Sequence, residues 1–111
     1  MFELNYEQLK NKEENILDNA LDDFKKEVEA EAIDIKADKG INRFIDEYTD
    51  TSLTTYKQQQ DWFVLAYHNN MYQPIPEGID CILDVVASIA YQYLHTKLKE
   101  NIQDYIEKNY E

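Results

Sequence analysis

Turn-forming residues are scarce in this chain: 111 residues contain 2 Gly and 2 Pro. A many-stranded sheet needs tight turns built on such residues, so the scarcity excludes that class of fold. It also excludes a glycine-rich phosphate cradle. The single cysteine, Cys81, has no partner for an internal disulfide, so no disulfide framework exists. The longest uninterrupted apolar run, Trp62 to Tyr67, has six residues. A membrane-spanning helix needs about 20. The first residues, Met1-Phe2-Glu3-Leu4-Asn5-Tyr6-Glu7, are neither basic nor apolar, so no signal peptide is expected and a soluble intracellular protein is the default. Basic residues are few as well: 11 Lys and Arg stand against 23 Asp and Glu, a formal net charge of −12. That balance speaks against direct nucleic-acid binding through phosphate neutralisation. It fits a basic partner, or solubility alone.

What the chain does hold is helical patterning and tyrosine. Hydrophobic residues make up 43% of it, enough for one modest core, and 9 Tyr accompany 4 Phe and 1 Trp. No linker or internal repeat divides residues 1–111, so a single acidic helical domain is expected. Asn11 followed by Glu14 has the form of a capping box, and Ile16, Leu17, Ala20, Leu21, Phe24 and Val28 follow at helical spacing. The spacing predicts an amphipathic helix over 12–32, with Gly40 as a stop and a short helix over 42–48 beyond it. Thr49-Asp50-Thr51-Ser52 reads as a capping cluster ahead of a helix over 53–69, with Trp62, Phe63, Tyr67 and, further on, Tyr93 as core aromatics. Pro74, Pro76 and Gly78 mark the one clear loop. A last helix over 79–109 follows without Gly or Pro. Its apolar stripe is split. Ile82, Val86, Ile89, Ala90 and Tyr93 point one way, and Leu98, Ile102 and Tyr105 nearly the opposite way. Either the helix bends near 95–97 or its halves meet different neighbours, the second of which suits a helix that leaves its own core for a partner chain. The predicted fold is thus all-α, about four helices with a long C-terminal one.

Catalytic and metal chemistry find little support. His68, His95 and Cys81 show no metal-ligand spacing, and Ser52 and Ser88 lack the flanking glycines of a nucleophile elbow. No catalytic residue, metal or cofactor is expected. A single carboxylate pair, such as Asp80 and Asp84, reads as a solvated helix face. The collective pattern says more. Residues 13–34 hold nine acids against Lys25 and Lys26, and from Phe44 to Thr96 seven acids face Lys57 alone. Like charges at i, i+4 oppose helix formation by about a few tenths of a kcal/mol per pair, so the excess invites a use. Imitation of a nucleic-acid backbone is one. At one charge per ~1.7 Å of duplex, the net charge of −12 equals that of about 20 Å of DNA. Asp18, Asp22, Asp23, Glu27, Asp46, Glu47, Asp50, Asp80 and Asp84 are the candidate partner-binding acids.

The helix Asp61-Trp62-Phe63-Val64-Leu65-Ala66-Tyr67, the loop to Pro76-Glu77-Gly78-Ile79-Asp80, and the helix Ile82 to Tyr93 with Ala90-Tyr91-Gln92-Tyr93-Leu94 resemble the second half of phage Ocr-type antirestriction proteins. The resemblance covers roughly residues 55–110 and lies in helix order, acidic charge and a Tyr-rich last helix. It implies a small, all-helical DNA mimic that occupies the DNA groove of a type I restriction–modification enzyme. Small acidic anti-CRISPR proteins share the same character. A DNA mimic that inhibits a basic nucleic-acid-binding host defence protein in the bacterial cytoplasm is therefore the expectation. Neither a membrane nor nucleic acid itself is an expected partner. A homodimer stays open, with Leu98, Ile102 and Tyr105 as its interface. The alternative is a structural, assembly or adaptor protein of a mobile element that dimerises through the last helix, its charge serving solubility.

Overall fold

A computed structural model describes residues 6–69 and 82–110. The expected proline loop, Asp80 and Cys81 lie outside the described residues. Among those described, the chain forms four helices and no strand: α1 (Tyr6–Glu29), α2 (Asp38–Ser52), α3 (Tyr56–His68) and α4 (Ile82–Tyr110). The all-α expectation and the long last helix hold. Among the described residues no helix is long and apolar enough to cross a membrane.

The helix ends depart from the sequence reading, each for a local reason. α1 starts at Tyr6, so Asn11 lies inside the helix and caps nothing. Leu9 is buried and lines a crevice with Trp62 and Leu65 of α3, and Glu13 is buried one turn on. Burial of this extra turn outweighs the capping signal. At the other end the stop is Glu31, not Gly40. Glu31 takes a left-handed φ of 59°. Its N–H donates to the Val28 carbonyl at 3.1 Å, and the Ala32 N–H donates to the Glu27 carbonyl at 2.9 Å. These two bonds make a Schellman cap, which satisfies carbonyls that the helix end leaves orphaned. Gly40 instead lies in the first turn of α2.

α2 runs through the Thr49–Ser52 cluster. Thr49 is buried, and its hydroxyl donates to the Ile45 carbonyl at 2.6 Å, so the side chain is satisfied inside the helix. The cap of α3 is Thr55. Its Oγ1 accepts from the Gln58 N–H at 3.2 Å, and Gln58 Oε1 accepts from the Thr55 N–H at 2.9 Å. This reciprocal capping box sets the start of α3 at Tyr56.

α4 is the hub. It packs most extensively on α3 and also on α2 and α1, while α1 reaches α3 as well. Its buried residues Val86, Ala90, Leu94, Leu98 and Ile102 recur every fourth position. Each step of four advances about 40° at 3.6 residues per turn, so the seam winds about 160° around the helix. The split stripe is this winding. The C-terminal half stays on its own core: the Tyr105 ring meets Phe24 of α1 edge-on at 6.4 Å. Leu98 and Ile102 are each 1% exposed, so they are interior residues and not a seam open to a second chain. Only Tyr105 of the three expected interface residues is partly exposed. The core aromatics also divide. Trp62 and Tyr93 are buried with ring centroids 6.0 Å apart, Phe63 is half-buried, and Tyr67 is 65% exposed. The buried face of α3 is Asp61, Trp62, Leu65 and Ala66.

Candidate functional site

The outer side of α2 gathers the candidate acids. Ile41, Ile45 and Thr49 fix which side of α2 faces inward. At about 100° per residue, Asp46, Asp50 and Glu47 then follow one another across its outer surface. All three are exposed. Glu47 borders a groove of about 450 Å³ shared with Asp23, Lys26 and Glu27 of α1 and with Phe44, Tyr48 and Thr51 of α2. The groove exists because α1 and α2 meet through side chains: Phe24 and Phe44 touch edge-on at 5.4 Å. Phe44 and Tyr48 sit side by side, centroids 5.8 Å apart and planes tilted by 32°, and give the groove an aromatic wall. Partial burial, and then the charge of Asp23, raise the Tyr48 phenol above its ordinary pKa of 10.0.

The opposite flank of α2 faces α4. His95 Nε2 lies 2.7 Å from Asp46 Oδ1, and the Tyr91 ring stacks on the His95 ring at 5.6 Å. Burial, followed by the charges of Asp46 and Asp50, raises the Tyr91 pKa. Asp84 is exposed and lies seven residues before Tyr91, on the same face of α4 and about 10 Å earlier along its axis. An anionic ridge therefore runs from Asp23 and Glu27 over Glu47 and Asp50 to Asp46, and α4 extends it toward Asp84. Lys26, Arg43 and His95 interrupt it. Arg43 Nε donates to Glu47 Oε1 at 3.1 Å.

Asp18 and Asp22 do not join the ridge. Helix geometry turns them about 100–180° away from Asp23 and Glu27, so they form a second strip on the outer face of α1. Both are exposed. Among the described residues, Asp18, Asp22, Asp23, Glu27, Asp50 and Asp84 form no ion pair with a basic side chain. Asp80 lies outside the described residues.

Two acids from the same sequence tallies serve the interior. The Tyr93 hydroxyl donates to both Glu13 carboxylate oxygens, at 3.1 and 3.0 Å, and accepts from Asn69 Nδ2 at 3.2 Å. Asp61, also buried, receives Lys57 at 2.8 Å and Lys12 at 3.4 Å. Neither role, nor the contact of His95 with Asp46, was foreseen from the sequence. The usable signal for Asp61 was its position beside Lys57 at i, i+4 and next to Trp62.

The fold and this surface define a small all-α protein with an electronegative outer flank. Comparison of the chain with protein-family models, with curated proteins and with solved structures gives no match, so the geometry alone bears on function.

Proposed function

We propose that this chain is a non-catalytic DNA-mimic inhibitor of a basic nucleic-acid-binding defence enzyme, of the restriction–modification or CRISPR nuclease kind. The observation that carries the reading is the gathering of five exposed carboxylates, Asp23, Glu27, Asp46, Glu47 and Asp50, along α2 and its two flanks. Three of them, Asp23, Glu27 and Asp50, lack an internal cation among the described residues. Charges left unneutralised on an exposed helix face stay available to Lys and Arg of a partner. Complementary potentials of this kind speed encounter and set register more than they add raw affinity.

Displacement of a labelled duplex from a type I restriction enzyme, and from a Cas nuclease, tests the reading. The chain displaces duplex from one of them, and its own binding weakens about tenfold or more between roughly 50 and 200 mM salt. The combined variant Asp46→Asn, Glu47→Gln, Asp50→Asn loses most of the displacement while it melts at the wild-type temperature or slightly above. Displacement that ignores salt, or that survives in the triple variant, rules the ridge out as the contact.

A further inference from the structure

We infer that the groove between α1 and α2 is a seat for an arginine side chain of the basic partner, gripped by Asp23 and Glu27 and stacked on Phe44 and Tyr48. The inference rests on the decoy reading and names which partner side chain the ridge takes at this point. Most of the ridge is carboxylate on open helix surface, where lysine and arginine are equivalent as point charges. The groove differs because two rings lie beside the acids: Phe44 and Tyr48, with centroids 5.8 Å apart, share about 450 Å³ of open space with Asp23, Glu27 and Glu47. A guanidinium is planar and weakly hydrated. It stacks on an aromatic face while its N–H fork meets carboxylates, and a compact ammonium does this poorly. Asp23 and Glu27 are one turn apart on α1, exposed, and without an ion-pair partner among the described residues. Glu47, the third acid of the groove, is already engaged by the guanidinium of Arg43 at 3.1 Å, which leaves Asp23 and Glu27 to meet an incoming side chain. Lys26 borders the same space and opposes an incoming cation.

Calorimetric titration with hexa-arginine and hexa-lysine, equal in charge, provides the test. The chain binds hexa-arginine about tenfold more tightly, as expected for one stacked guanidinium. Asp23→Asn with Glu27→Gln removes most of that preference, and Asp18→Asn with Asp22→Asn leaves it intact. Lys26→Gln strengthens hexa-arginine binding a few-fold. Phe44→Leu abolishes the preference but not the attraction, and the exposed double variant carries the same conclusion should Phe44→Leu fail to fold. Equal binding of the two peptides overturns the inference, as does an equal loss from the Asp18 and Asp22 pair. Equal peptide binding by a chain that still displaces duplex leaves the decoy reading standing and removes only the arginine seat. Arginine preference in a chain that displaces nothing removes the decoy and keeps the seat.

Discussion

Glu13 and Asp61 in the interior, and Asp23, Glu27, Glu47 and Asp50 on the surface, are the same chemistry put to opposite uses. The first pair is buried and held by Tyr93, Lys12 and Lys57. The second group is exposed, and among the described residues only Glu47 of these four has an internal cation. A buried carboxylate must be hydrogen-bonded or paired, because its desolvation is otherwise uncompensated. An exposed one needs nothing from the fold and can be lent to another molecule. Net charge alone conflates the two groups. Only burial separates acids that specify the fold from acids that are free to act.

The sharpest way to test that division is to compare one change in each region. The largest effect belongs to the hub between them. Leu98→Ala removes an interior side chain and costs about 2–5 kcal/mol in urea unfolding. A loss below about 1 kcal/mol would return Leu98 to the surface. The interior acids come next. Tyr93→Phe leaves Glu13 buried without the hydroxyl that serves both its oxygens, and costs about 1–3 kcal/mol. Asp50→Asn, on the outer ridge, changes stability by less than about 0.5 kcal/mol. Equal costs for the two would break the comparison. Two changes opposite in sign to these test the segment between α1 and α2, where the left-handed position holds Glu31 and the glycine sits one element later. Glu31→Gly relieves the left-handed strain and adds about 0.5–1 kcal/mol. Gly40→Ala does the same by helix propensity. Its new Cβ meets only Ile33 Cγ2, at an ordinary 3.9 Å.

Fold class was legible because periodicity survives averaging. The spacing of Ala20, Phe24 and Val28, and the unbroken run after residue 82, required helices whatever their partners. Ends were less legible. They depend on single tertiary events: Leu9 finding Trp62 and Leu65, Thr49 finding the Ile45 carbonyl, Glu31 accepting a positive φ in place of glycine. The apolar stripe of α4 was seen correctly as split. Its meaning escaped because one sequence does not tell whether a rotating stripe is covered by the same chain or by another. The candidate acids among the described residues were legible as exposed, since hardly anything else suits helix positions opposite an apolar face. Their division into two strips on α1 is set by helical spacing, but which strip adjoins α2 was not legible. It follows from how α1 rotates against α2, which Phe24 and Phe44 decide. The aromatic groove could not be foreseen at all, because Phe44 and Tyr48 carry the same pattern as core residues.

The winding seam of α4 has a consequence for what this chain tolerates. The helix acts as a geared shaft: α3 meshes with its first half, α1 and α2 from its middle to the far end, and residue count sets the phase between them. One alanine inserted between Thr96 and Lys97 turns everything downstream by about 100°. Leu98 and Ile102 would then leave their sockets although every side chain was kept. Point changes are absorbed locally, but a single-residue length change in the shaft puts the two ends of the molecule out of step.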